Sequence, residues 1–104
     1  MYYYTISQSE FSRYKKNPNT ILVDLRNPAE FQKGHIPDAI NIPFEELKNK
    51  PISDFNHEMV ILYCDRGNKS LLIARDLQKK GIAAVSIHGG YFAYQGPVET
   101  THSS

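Results

Sequence analysis

The chain has very little cysteine: Cys64 is the only one in 104 residues. A single thiol excludes an internal disulfide framework, a cysteine-based zinc cluster and a Cys-x-x-Cys redox pair. It suggests a reducing compartment, where a free thiol persists. Net charge is lacking too. Twelve Lys and Arg against 11 Asp and Glu give a formal +1, which supplies no global pull toward nucleic acid or a membrane surface. No apolar run approaches the ~20 residues of a membrane span. Met1-Tyr2-Tyr3-Tyr4-Thr5-Ile6 lacks the basic start and apolar centre of a secretory signal. His57, His88 and His102 lie far apart without ligand spacing, so no metal site is expected. There is no internal repeat and no linker. These absences point to a cytoplasmic protein with one core, residues 1–104 forming a single domain. Its last stretch, from about residue 97, is expected to be a flexible tail, small and polar from Glu99 onward.

What the chain does have is short apolar runs separated by turn and cap residues. Residues 4–6 read as a first strand, and packing of that strand is the plainer account of the Tyr2-Tyr3-Tyr4 run than a partner surface. Ser7 and Glu10 have the spacing of a capping box, opening a helix to about Lys16. Residues 20–25 are an almost continuous β-branched run, as in a strand covered on both faces. Asn27-Pro28-Ala29-Glu30 has the cap, proline and acid of a helix start, and Gly34 stops that helix. Residues 39–42 form a brief strand, 44–48 a helical turn and 51–56 a loop. Residues 59–63 are the next strand, followed by helical periodicity from Leu71 to Leu77. Residues 83–87 are the last strand, and His88-Gly89-Gly90 turns the chain into a short helix over 91–94. Alternating strands and helices imply an α/β sandwich on a mostly parallel sheet of about five strands.

Ligands of such sheets bind beyond the carboxyl ends of the strands. Met59-Val60-Ile61-Leu62-Tyr63 delivers Cys64 to such an end, and Asp65-Arg66-Gly67-Asn68-Lys69-Ser70 leads into the next helix. Unpaired amides at a helix start carry partial positive charge. A sulfur facing them is favoured as the thiolate, the nucleophilic form. A cysteine without context reads as an inert core residue; the glycine and the two cations in the next five positions turn the reading toward reactivity. Gly67 supplies the positive φ or close approach that a curl around the sulfur needs, and Asn68 tolerates a left-handed backbone. Ser70 reads as the N-cap of the helix, with a hydroxyl able to reach the sulfur. Lys69 reads as attracting an anion, and Arg66 either does the same or is a solvated charge. Two anions suit a ring of amides: a phosphate or arsenate above the sulfur, or a sulfane sulfur carried on it as a persulfide. A phosphoryl site of this loop length has an arginine six residues after the cysteine, because its fork clamps the oxygens. Here that position is Ser70 and the next arginine is Arg75. A phosphatase or arsenate reductase is disfavoured.

Three segments together resemble the rhodanese family. Cys64-Asp65-Arg66-Gly67-Asn68-Lys69-Ser70 is similar to its active loop, Cys-x-x-Gly-x-[Arg/Lys/Ser/Thr]-[Ser/Ala]. Asp24-Leu25-Arg26, then Glu30 and Gly34-His35-Ile36-Pro37-Asp38-Ala39-Ile40-Asn41-Ile42-Pro43, resembles its Asp-x-Arg and Glu-x-x-x-Gly-His-Ile-x-Gly-Ala-x-Asn-Ile-Pro pattern. Ile87-His88-Gly89-Gly90 resembles its turn after the last core strand. Asp38 replaces a common glycine, and Tyr91, Phe92 or Tyr94 stands in for a frequent tryptophan. The resemblance implies a three-layer sandwich and a small single-domain thiosulfate sulfurtransferase. In that reading Cys64 is the catalytic carrier, and Asp65, Arg66, Gly67, Asn68, Lys69 and Ser70 bind the substrate. Asp24 and Arg26 support the site as an ion pair or cap, Glu30 as a helix-cap partner, and His35 by bonding backbone and locking its loop. No metal or organic cofactor is implied. The partners are a small anionic sulfur donor and a thiol, protein or cyanide acceptor, with no nucleic acid and no membrane. The oligomeric state, monomer or weak dimer, is left open. A fold retained as a binding or regulatory module without turnover is the alternative, less favoured because Cys64 is present.

Overall fold

The computed structural model describes residues 4–49 and 59–100. Tyr2, Tyr3, the expected loop over 51–56, His57 and the tail residues 101–104 with His102 lie outside the described residues. Ten elements alternate: β1 (Thr5–Ile6), α1 (Gln8–Tyr14), β2 (Thr20–Asp24), α2 (Pro28–Lys33), β3 (Ile40–Asn41), α3 (Phe44–Lys48), β4 (Met59–Tyr63), α4 (Asn68–Lys79), β5 (Ala84–Ile87) and α5 (Gly90–Ala93). Local chemistry accounts for the starts. Ser7 and Glu10 form the full reciprocal capping box of α1, and Asn27 Oδ1 accepts the Glu30 N–H at 2.9 Å to open α2.

The five strands lie in the order β1-β5-β4-β2-β3, and every pairing is parallel. Period-2 alternation sorts their side chains into two layers. Val60, Leu62 and Cys64 face one layer with Leu47, Ile73, Ala74 and Leu77 from α3 and α4. Ile61 and Tyr63 face the other, with Phe11 of α1 and, partly buried, Phe31, Tyr91 and Tyr94. Helices thus cover both faces of a central sheet. From β2 the chain continues to β3 at one edge, and from β4 it continues to β5 on the opposite side. The crevice between the carboxyl ends of β2 and β4 is therefore the topological switch point, where open parallel sheets take ligands.

Two turns differ from expectation or sharpen it. Asp38 has φ 71°, and the Ala39 N–H donates to the Ile36 carbonyl at 3.1 Å. Pro37 and Asp38 thus occupy the central positions of a turn whose third residue needs a positive φ. An aspartate adopts that conformation at a cost that glycine avoids. Asp38→Gly is expected to stabilise the protein by about 0.5–1 kcal/mol, read as a higher urea midpoint with an unchanged slope. The chain is also anchored further than the small polar tail suggests. Glu99 pairs with His35 through both backbone hydrogen bonds, and its Oε1 accepts the Asp38 N–H at 3.2 Å.

Candidate active site

Parity in β4 decides where the thiol goes. Cys64 follows Val60 and Leu62 on the face covered by α4, so its sulfur meets the first turn of that helix. The Gly67 N–H donates to Sγ at 3.1 Å and the Ser70 N–H at 3.5 Å. Gly67 has φ 99° and is itself the N-cap of α4. The helix consequently starts at Asn68, and the expectation of a helix beginning near Leu71 with Ser70 as cap is corrected. Ser70 instead lies inside the first turn, fully buried beneath the sulfur. Its Oγ lies 3.5 Å from Sγ and 2.6 Å from Ser86 Oγ, and it donates to the Gly67 carbonyl at 3.2 Å. Among the described residues, the amides of Asp65, Arg66, Asn68 and Lys69 donate to no protein acceptor.

The back of the loop is pinned by α5. The Tyr91 and Phe92 N–H groups donate to the carbonyls of Cys64 and Asp65, each at 2.8 Å. This approach requires glycine. A Cβ at Gly90 would lie 2.5 Å from the Cys64 oxygen and 2.7 Å from the Asp65 oxygen, and Gly90 has φ 62°. The His88-Gly89-Gly90 turn is thus a clamp on the curl, while His88 itself is exposed.

Above the sulfur is a cleft of about 450 Å³, lined by Cys64, Asp65, Arg66, Asn68 and Lys69 together with residues that follow β2 and β3. Cys64 is only 6 % exposed, so the cleft is its route to a reagent. Both loop cations are steadied by aromatic faces at the rim: the Arg66 guanidinium lies 4.1 Å from the Phe92 ring centre and Lys69 Nζ lies 5.3 Å from that of Phe44. Phe92 is 71 % exposed and projects beside the mouth.

Of the supporting residues expected from sequence, Arg26 and Glu30 reach the cleft and Asp24 and His35 do not. Arg26 makes a buried ion pair with Asp24, Nη2 to Oδ2 at 2.9 Å. It also donates to the Gly34 carbonyl, and its guanidinium lies 4.0 Å from the centre of the Tyr91 ring. Burial opposes its charge, but the bonds to Asp24 outweigh it and hold the group above its ordinary pKa. Tyr63 lies behind this pair. Burial above all, and the adjacent Asp24 carboxylate next, raise its hydroxyl far above the ordinary range, so it remains a neutral acceptor for the Ile36 N–H at 3.0 Å. The Glu30 N–H donates to the capping side chain of Asn27, while the Glu30 side chain lines the cleft. His35 Nδ1 donates to the Phe31 carbonyl at 2.7 Å, and its ring stacks on Phe31 at 3.7 Å. It fastens the end of α2 and takes no place at the sulfur. Phe44, Glu45 and Ser86 are site neighbours that sequence reading missed. They carry no local motif, and only the strand order brings them in.

Comparison with known proteins agrees with this geometry. Residues 7–97 match the rhodanese-like domain family. The chain is 35 % identical over 83 residues to a tRNA sulfurtransferase of Desulfurococcus amylolyticus, covering 80 % of this chain but 16 % of that protein. It is 30 % identical over 89 residues to a sulfurtransferase of Allochromatium vinosum, covering 85 % of this chain and 83 % of the relative. A rhodanese-related protein of Thermoplasma volcanium superposes with a TM-score of 0.79 at 26 % identity, over 93 % of this chain and 98 % of the other. No helix among the described residues is long and apolar enough to cross a membrane. By the match across most of its length, and by a sulfur curled under helix-start amides at a parallel-sheet switch point, the chain belongs to the rhodanese-like domain family.

Proposed function

We propose that the protein is a sulfurtransferase that carries a sulfane sulfur on Cys64. The observation that carries this reading is the sulfur at the base of the cleft, already accepting two backbone N–H groups, in a loop where four further amides, among the described residues, have no protein acceptor. The thiolate attacks the outer sulfur of a donor such as thiosulfate. A sulfur–sulfur bond forms to Sγ, the donor's sulfur–sulfur bond breaks, and sulfite leaves with the electron pair. The loop amides hold the resulting anion in place. An acceptor thiolate or cyanide then attacks the outer sulfur and releases Cys64 as thiolate. The two half-reactions alternate, so ping-pong kinetics are expected. Intact mass after incubation with thiosulfate tests the reading: the chain gains one sulfur, which cyanide or a thiol removes. No gain in mass from thiosulfate or from a persulfide donor would favour a binding module.

The rim cations suit an anionic donor. Lys69→Ala is expected to raise the KM for thiosulfate about three- to five-fold with little change in kcat, an effect that fades as salt rises. An unchanged KM would make Lys69 a solvated charge only. A phosphoryl-transfer reading has less support. Ser70 is buried where the clamping arginine belongs, Arg75 lies against Tyr4, and Arg26 is committed to Asp24 and Gly34.

A further inference from the structure

We infer that Ser86, a residue with no place in the reaction described above, is a positioning residue that sets the direction of the hydroxyl chain beneath the reacting sulfur. Ser86 lies on β5, whose neighbour in the sheet is β4, and both Ser86 and Ser70 are wholly buried. Their oxygens are 2.6 Å apart. Ser70 Oγ is the only acceptor within reach of the Ser86 hydroxyl among the described residues. Were Ser70 to donate to Ser86, the Ser86 proton would be buried with nothing to receive it, which folded proteins almost never tolerate. Ser86 therefore donates and Ser70 accepts.

That leaves the Ser70 proton free, with two destinations: the Gly67 carbonyl at 3.2 Å and Cys64 Sγ at 3.5 Å. The hydroxyl is a two-position rotor. It rests on Gly67 when the sulfur carries a proton and turns to the sulfur when the sulfur is an anion. The Ser86 bond polarises it and makes it the better donor in that second position. Ser86 thus favours the anionic sulfur through Ser70 without touching it. The inference rests on the proposed function only in taking this sulfur as the reacting atom.

Alkylation by iodoacetamide tests it without any sulfur donor, and Cys64 is the only thiol to react. The charged groups that share the cleft with the sulfur are Asp65, Arg66 and Lys69 from its own loop, Arg26 and Glu30 after β2, and Glu45 of α3. All are unchanged in the variants. Ser86→Ala is expected to slow alkylation about three- to five-fold at pH 7, with little change at alkaline pH. Ser70→Ala slows the neutral-pH reaction further, and the double variant matches Ser70→Ala alone. Ser86→Thr and Ser86→Val repeat the comparison at matched volume, with the hydroxyl kept in one and removed in the other. Thr retains the ratio of neutral to alkaline rates and Val loses it. An unchanged neutral rate in Ser86→Ala, equal slowing at both pH values, or further slowing of Ser70→Ala by the second substitution would each overturn the inference. A wild-type protein that alkylates as expected yet takes sulfur from neither thiosulfate nor a persulfide donor would count against the sulfurtransferase reading and leave this one standing.

Discussion

Cys64→Ser is expected to reduce sulfur uptake to background while the protein still folds. The serine oxygen takes nearly the same buried position beside the Gly67 and Ser70 amides, so the loop has no reason to open. What is lost is chemical. A hydroxyl is not ionised at neutral pH, even under helix-start amides, and it cannot carry a second sulfur as a persulfide. Removing a covalent nucleophile costs roughly a million-fold in kcat in a well-studied hydrolase. In the proposed reaction the same atom is both nucleophile and carrier, so that reading leaves no partial route. Intact mass should show a sulfur gained by the wild type and none by the variant, with both melting cooperatively. Sulfite released by Cys64→Ser at the wild-type rate would remove the thiol from the mechanism.

The second large effect is expected at Gly90, which no reagent need touch. An added Cβ meets the Cys64 and Asp65 carbonyl oxygens at 2.5 and 2.7 Å, both of them backbone atoms of the curl. It also forces a side chain onto φ 62°. The left-handed backbone costs about 1–2 kcal/mol and the overpacking about 1–3 kcal/mol. Gly90→Ala should therefore lose about 2–5 kcal/mol, or about 10–25 °C in melting temperature for a chain of this size. The surviving folded protein should alkylate more slowly, because relief of the clash moves the carbonyls that hold the loop. Gly67→Ala is the control. Its Cβ would meet nothing closer than 3.5 Å, so only the φ penalty of about 1–2 kcal/mol applies. Equal losses at the two glycines would mean that α5 does not clamp the curl.

Much of the scaffold is legible locally. The capping box of Ser7 and Glu10, the Asn27-Pro28 helix start and the runs at β2 and β4 are decided within a few residues of chain. Their starts therefore survive from sequence to structure with shifts of a residue or two. The cysteine loop is legible in its composition and misread in its register. Ser70 has the chemistry of an N-cap, but the left-handed backbone of Gly67 starts the helix at Asn68 and turns the serine under the sulfur. Asp38 shows the opposite case. A side chain not built for a positive φ is held there because Pro37 and the hydrogen bond from Ala39 to Ile36 close the turn around it.

By itself, then, the amino-acid order determined which segments become strands and helices, which residue is the only available thiol, and that a flexible backbone follows it. Those properties depend on neighbours along the chain. Only the tertiary structure decided that Ser86 bonds Ser70 beneath the sulfur, that α5 grips the Cys64 carbonyl, that Phe92 props Arg66, and that Glu30 and Glu45 share a cleft with Lys69. The reason is the sheet order. Placing β4 between β5 and β2 brings residues 19 or more positions from Cys64 into its neighbourhood, and no periodicity or spacing encodes which strand becomes whose neighbour.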